Sequence, residues 1–345
     1  MQKYKIAIVG ATGFTGSELV RILINHPAVE IIAITSESRA GERFSEVHPQ
    51  FKGICDTTLI TAKEVMEENT DLAFLALPHG VSMDYVKAYK GSDFKIVDLS
   101  GDFRLSSSEV YSAWYPKAHT FPEGFHGAVY GLPELNKKRI ASARLTANPG
   151  CYPTSAILGI APLLSAKLMD PRGVIIDSKS GVTGAGVKPG AVNHFSYVND
   201  NFKAYGISTH RHTIEIKENA EALAGNEASI QFTPHLLPVD RGILSTIYAR
   251  PARKVSAKEV QGALSDFYGS EPFVRVRDTP PTIKQVRGTN YCDIFATFDE
   301  ATGNIIAVSV IDNLVKGAAG QAVQNMNLML GLDESLGLNQ VPLQP

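Results

Sequence analysis

The chain has 345 residues, 44% hydrophobic and 20% charged, so it can bury full cores and its length suggests two domains rather than a disordered polymer. A formal net charge of -2 leaves no basic footprint for nucleic acid or an anionic membrane, and no run nears the roughly 18 apolar residues of a membrane span. Three cysteines, Cys55, Cys151 and Cys292, are odd in number and far apart, which fits free thiols in a reducing cytosol rather than a disulfide framework.

Met1-Gln2-Lys3-Tyr4-Lys5 runs straight into residues 6–9, without the apolar region and cleavage site of a signal peptide. A cytoplasmic enzyme acting on a small molecule is expected. Residues 6–9 are apolar without alternation and stop at Gly10, the pattern of a strand buried on both faces. A helix follows with Leu19, Val20, Ile22 and Leu23 inward and Pro27 beyond its end. Strands are predicted at 30–35, 72–77 and 95–99, with a helix at 81–90 between the last two. A last short strand at 145–147 runs into Asn148-Pro149-Gly150. Strands alternating with helices imply a doubly covered parallel sheet of Rossmann type.

After Cys151 the rhythm changes. An apolar helix at 152–168 leads to a strand at 173–178 and a glycine- and lysine-rich loop at 179–190. Strands near 228–234, 241–249, 292–298 and 305–311 alternate in part with helices near 215–223 and 258–268. Tight turns at 239–242 and 299–304 predict antiparallel pairing, hence an α+β second domain. The closing helix, 315–330, is rich in small residues and is expected to return to the first domain. The predicted boundaries are 1–150, 151–312 and 313–345.

Gly10-Ala11-Thr12-Gly13-Phe14-Thr15-Gly16 sits between the first strand and helix, where backbone N–H groups and the helix dipole receive a dinucleotide pyrophosphate. Its spacing is GxxGxxG, and a tight βα turn without ligand is the alternative. The second strand ends Thr35-Ser36-Glu37-Ser38-Arg39. Ser36, Ser38 and Arg39 suit the 2′-phosphate of NADP, whereas an inward Glu37 would suit NAD.

Cys151 starts a helix at the C-terminal edge of the predicted sheet, where the dipole and amide groups favour a thiolate. The alternative is an ordinary core cysteine, the reading given to Cys55 and Cys292. His210-Arg211-His212 offers the proton carrier that a thiolate nucleophile needs. A solvated surface or an H-x-H metal site competes, but no second ligand cluster accompanies it, so no metal is expected. Arg104, after the strand at 95–99, either grips a carboxylate or phosphate or forms an ion pair with Asp102. The loop carrying Lys188 either closes over an anion or lies at a subunit contact.

GATGFTG at 10–16, LALPHG at 75–80, DFRL at 102–105, NPGCYPT at 148–154, SGVTGAG at 180–186 and HRHTIEI at 210–216 together resemble the N-acetyl-γ-glutamyl-phosphate reductases of the semialdehyde dehydrogenase superfamily. The resemblance covers essentially the whole chain. It implies a Rossmann domain plus a domain like the catalytic domain of glyceraldehyde-3-phosphate dehydrogenase, with Cys151 as nucleophile and His212 or His210 as acid/base. It also implies NADP as cofactor and reductive dephosphorylation of N-acetyl-L-glutamyl 5-phosphate, a step of arginine biosynthesis. Asn313 is expected to join the cofactor site. Arg104, Asn148 and Lys188 are expected at the substrate, and a homodimer or homotetramer is the expected assembly. The competing activities are reduction of aspartyl phosphate or of a carrier-linked aminoadipyl phosphate, and, in another class, a non-catalytic NADP-binding protein.

Overall fold

The strand–helix alternation of the first half folds into a six-stranded sheet in which every pairing is parallel. Its strands are β1 (Tyr4–Val9), β2 (Val29–Ile34), β3 (Leu72–Leu75), β4 (Lys95–Asp98), β5 (Ala128–Tyr130) and β6 (Leu145–Ala147), in the order β2-β1-β3-β4-β6-β5. In this computed structural model, which describes residues 3–343, the chain divides into two units. One comprises residues 3–149 and 318–339, the other 150–317 and 340–343.

In the first unit β3 is buried at all four positions, as a strand covered on both faces must be. Helix Phe14–Leu23 buries Leu19, Val20, Ile22 and Leu23. The chain leaves β1 on opposite sides to reach β2 and β3, which opens the crevice used by ligands of such sheets. Strand β6, the last of this sheet along the chain, is not at its edge: the earlier β5 lies outside it, and the three half-buried residues of β5 give no readable period.

The closing helix runs unbroken over residues 315–329. Its first turn, Val315–Ala319, is π-helical and passes directly into the α-helix Gly320–Met329, and the division between the two units falls after residue 317. Residues 318–339 join the first unit, and residues 340–343 belong to the second. The helix is weakly apolar yet buried, and its side-chain amide nitrogens find partners. Gln321 and Asn325 both donate to the Gly131 carbonyl, at 2.9 and 2.8 Å.

The second unit holds a seven-stranded mixed sheet of β7 (Arg172–Ser180), β8 (Lys203–Ala204), β9 (Ser229–Leu236), β10 (Ile243–Ala249), β11 (Val274–Val276), β12 (Cys292–Asp299) and β13 (Asn304–Ile311). Its order is β11-β12-β13-β10-β7-β9-β8. The turn at 299–304 joins the antiparallel pair β12 and β13, as its residues predict. The turn at 239–242 does not join neighbours. Strand β7 inserts between β9 and β10, pairing parallel with the first and antiparallel with the second. A turn reverses the chain but does not dictate which strand takes its hydrogen bonds.

Helix Cys151–Ser165 is buried at every position from Tyr152 to Leu164, the signature of a core helix. Pro162 lies inside it and cannot donate to the Leu158 carbonyl. The hydroxyl of Tyr268, on helix Ala257–Tyr268, supplies that missing donor at 2.6 Å. Tyr268→Phe should therefore lower stability by roughly 1–3 kcal/mol in denaturant melts while leaving turnover near normal. Unchanged stability would mean that another donor reaches the carbonyl.

Candidate active site

In the first unit, Gly10 adopts φ +88°, and a Cβ there would lie 2.6 Å from the Ala76 oxygen. Only glycine satisfies both conditions. A Cβ on Gly16 would lie 2.5 Å from the Gly10 oxygen, so this glycine lets the helix close onto the turn. Gly13 faces open space instead, and it starts helix Phe14–Leu23 with no side-chain cap. Glycine therefore leaves clear the approach to the helix's first amides, including those of Phe14 and Thr15. These residues fit a dinucleotide phosphate.

The turn is tied to β2: the Gly10 amide donates to Thr35 Oγ1 at 3.2 Å and that of Ala11 to the Thr35 carbonyl at 2.9 Å. The Thr12 and Ser36 hydroxyls lie 3.4 Å apart. Glu37 accepts from the Ala62 amide at 2.9 Å and the Tyr85 hydroxyl at 3.3 Å. Ser38 and Arg39 are exposed, and Arg39 pairs with Glu42 at 3.4 Å, an exposed bridge of little strength.

Arg104 is buried, and it does not pair with Asp102. Its Nε donates to the Asn148 carbonyl and its Nη2 to the Leu99 carbonyl, both at 2.7 Å. Asp102 instead accepts from the Gly80 and Met83 amides and the Tyr111 hydroxyl. Asn148 is 1% exposed; its amide donates to the Ala318 carbonyl at 3.1 Å and accepts from Asn325 at 3.0 Å. Both side chains expected at the substrate thus brace the end of β6 within this unit. Beneath them, burial and the neighbouring Asp102 push the Asp98 carboxyl up to about 6.

In the second unit, Cys151 is the first residue of its helix and is partly exposed. Gly150 before it has no side chain to cap the helix. Pro153 has no amide proton, and the Thr154 amide already bonds the Gly150 carbonyl at 2.9 Å. Of this first turn's amides, those of Cys151 and Tyr152 precede the first intrahelical bond. Gly317, in the π-helical turn, passes so close that a Cβ there would lie 2.8 Å from that of Cys151.

Helix His212–Ala224 brings its first turn against Gly150. Glu215, 1% exposed, accepts the Gly150 amide at 2.8 Å. The imidazole of His212 faces the Gly150 Cα, where a Cβ would lie 2.5 Å from Nε2. Gly150 thus admits the ring beside the residue that precedes the thiol.

His210 has a different setting. Its ring packs edge-on against Tyr152, Tyr205 and Phe232, with centroids 5.5–5.8 Å away. Its Nδ1 accepts the His212 backbone amide at 3.2 Å, which leaves the neutral ring's proton on Nε2. Burial and the adjacent Arg211 push it down to about 4, so it is neutral at ordinary pH. Tyr152 completes the frame, donating to the His235 carbonyl and accepting from the Tyr205 hydroxyl, each at 3.1 Å.

Asn313, 2% exposed, belongs to the second unit. It accepts from the Gly242 amide at 2.8 Å and donates to Thr183 Oγ1 at 2.9 Å, bracing the 182–185 turn. Lys188 is exposed on its loop. Among the described residues no cluster of His, Cys, Asp or Glu is placed to hold a metal, and no helix is long and apolar enough to cross a membrane. Sequence reasoning assigned no role to Glu215 or Gly317. For Glu215 a signal existed: His212, Glu215 and Ile216 share one helix face by their spacing, and all three are buried. Gly317 was one small residue in a run of four.

Residues 5–143 match the family described as "Semialdehyde dehydrogenase, NAD binding domain", and residues 151–313 match "Semialdehyde dehydrogenase, dimerisation domain". The fold agrees with solved structures of that class. Aspartate semialdehyde dehydrogenase II of Vibrio cholerae, complexed with ASA, superposes with a TM-score of 0.74 at 16% identity, over 96% of this chain and 99% of that one. The aspartate semialdehyde dehydrogenase of Candida albicans, with NADP, gives 0.69 at 15%, over 95% and 99%. The two domains and their fold define a semialdehyde dehydrogenase.

Proteins named N-acetyl-gamma-glutamyl-phosphate reductase are far more similar in sequence. Those of Pelotomaculum thermopropionicum and Citrifermentans bemidjiense are 51% and 50% identical over 345 residues, and that of Desulfotalea psychrophila is 52% identical over 347. Each alignment covers 99% of both chains. The chain belongs to the N-acetyl-gamma-glutamyl-phosphate reductase family.

Proposed function

We propose that the chain is an NADPH-dependent oxidoreductase that converts N-acetyl-L-glutamyl 5-phosphate into N-acetyl-L-glutamate 5-semialdehyde, a step of arginine biosynthesis. The observation that carries this reading is roughly 50% identity over nearly the full chain to relatives bearing that reductase's name. The Cys151 thiolate attacks the acyl carbonyl, the bond to the phosphate oxygen breaks, and inorganic phosphate leaves a thioester on the sulfur. Bound NADPH supplies the hydride that reduces this thioester to a thiohemiacetal. The amides of Cys151 and Tyr152 are the donors suited to the charged substrate oxygen. His212 manages the proton there, and collapse breaks the C–S bond to release the aldehyde and restore the thiolate. The name given to the matched second domain supports a homo-oligomer, and the assembly proposed is a homodimer or homotetramer. The work is expected in the cytoplasm.

The decisive assay runs in reverse: NADP reduction by the semialdehyde, with and without phosphate. Turnover that requires phosphate supports the reading, whereas turnover only with aspartate semialdehyde, or none, overturns it.

NADP is favoured over NAD because Glu37 is engaged by Ala62 and Tyr85, while Ser36, Ser38 and Arg39 remain at the strand's end. Arg39 can exchange its exposed partner Glu42 for a 2′-phosphate. Arg39→Ala should raise the KM for NADP by roughly 10- to 150-fold, the loss of a charge-assisted pair of roughly 1.5–3 kcal/mol, with little change for NAD. Equal KM values for both cofactors in both proteins would assign the choice to Glu37.

A further inference from the structure

Beneath the helix that begins at Cys151 lies a row of hydroxyls that no step of the reaction uses. Ser178 on β7, Ser245 on β10 and Ser309 on β13 are direct cross-strand neighbours. Ser155, one turn along the helix from Cys151, sets its side chain on them. All four are 0% exposed. Ser155 Oγ donates to Ser245 Oγ at 2.9 Å and lies 3.3 Å from both the carbonyl and the hydroxyl oxygen of Ser309. The Ser178 and Ser245 hydroxyls are 2.7 Å apart, and Cys292 Sγ ends the row 3.4 Å from Ser309 Oγ.

The inward positions on either side of Ser245 are Ile243 and Ile247, both fully buried, so an apolar residue would be the ordinary choice between them. Buried hydroxyls are tolerated only when they bond one another, and such bonds are directional where apolar contacts are not. A helix resting on apolar side chains can rotate or slide by small amounts at little cost. One whose serine must meet two hydroxyls and a carbonyl has one rotation and one height. A serine inside a helix commonly bonds back to the carbonyl four residues earlier, which for Ser155 is that of Cys151. The neighbouring Thr154 does this, donating to the Gly150 carbonyl at 3.0 Å, whereas Ser155 turns to the sheet. Gly159, one turn further, lets the helix sit close, since a Cβ there would lie 2.5 Å from Ile247 Cδ1.

We infer that this serine ladder fixes the rotation and height of the helix and thereby aims the Cys151 sulfur, with Ser155 and Ser245 as positioning residues. The inference rests on Cys151 being the nucleophile, as proposed above. Its test is the rate of iodoacetamide alkylation at Cys151, located by mass spectrometry and measured against pH in the full chain. Ser155→Ala and Ser245→Ala should each lower the limiting rate at least fivefold or move the apparent thiol pKa by half a unit or more. Their kcat should fall at least fivefold, with the KM for NADP within twofold of normal. Ser178→Ala, which also removes a ladder hydroxyl but no bond to the helix, should lower Tm comparably and leave the alkylation profile within twofold.

Alkylation within twofold of normal in folded Ser155→Ala and Ser245→Ala overturns the inference. So does a Ser178→Ala variant that changes the thiol as much as they do, because the effect would then follow stability alone. Should Ser155→Ala fail to fold, Ser245→Ala removes the same bond from the sheet side and decides the question. Full turnover in Cys151→Ala would instead sink the proposed mechanism, and the alkylation profiles would still judge the ladder.

Discussion

Replacing Cys151 with alanine is expected to lower turnover by a factor on the order of 10⁴ or more while NADP still binds with near-normal affinity. The size follows from the role: without the sulfur there is no thioester, and no neighbouring group can replace a covalent step. Cofactor binding survives because the glycine turn draws its geometry from β1, β2 and its own helix, all within the other unit. The same thiol should be alkylated first at neutral pH. Cys151 is partly exposed at a helix start, whereas Cys55 and Cys292 are 7% and 0% exposed. Fluorescence titration with NADP, peptide mapping of the alkylated enzyme and a turnover assay test this together. Early labelling of Cys55 or Cys292 with activity retained would refute it.

The second large effect separates the two histidines. His212→Asn should lower turnover by about 10²–10⁴ and alter the acid limb of its pH profile, as loss of a proton carrier does. His210→Asn should act differently. The native ring is neutral across the working range and accepts the His212 amide, so its loss should disturb affinity and folding more than the profile's shape. Its stability signature has a definite sign. The folded value, about 4, lies below the ordinary 6.5, so this contribution is fully present above pH 6.5. It is lost as pH falls from there toward 4, because the unfolded chain takes the proton first. Denaturant melts of His210→Asn should fall less steeply over that interval than those of the native protein. If both variants keep normal turnover and profile, the proton carrier lies elsewhere.

Much of this site is legible in the sequence because its physics is local. A buried strand ending in Gly10, a helix after Gly13 and a cysteine after Asn148-Pro149-Gly150 are fixed by near neighbours. What is not legible depends on partners far along the chain. Asp102 and Arg104 read naturally as an ion pair, yet one meets amides at Gly80 and Met83 and the other carbonyls at Leu99 and Asn148. The bond between Asn148 and Asn325 is equally unreadable, because the two residues lie 177 positions apart. The place of β7 between β9 and β10 is hidden for the same reason: sheet order is settled by which faces must be buried, and a turn carries no record of that. The two histidines are two residues apart and chemically identical, and only their surroundings, Gly150 beside His212 and the Tyr205 and Phe232 rings beside His210, tell them apart.

The second unit is nearly continuous along the chain, whereas the first is completed only by residues 318–339. Synthesis from N- to C-terminus therefore delivers their parts out of step. When residue 317 leaves the ribosome, the thiol-bearing unit has its whole sheet and all three of its long helices. The dinucleotide unit, begun first, still lacks a helix that buries Ala322, Val323, Met326 and Met329. The part translated later is thus the first to have its complete core, the reverse of the usual N-terminal-first order. Pulsed proteolysis of stalled nascent chains should find residues 150–317 protected before residues 3–149. Protection in the opposite order would show that the parallel sheet holds without its closing helix.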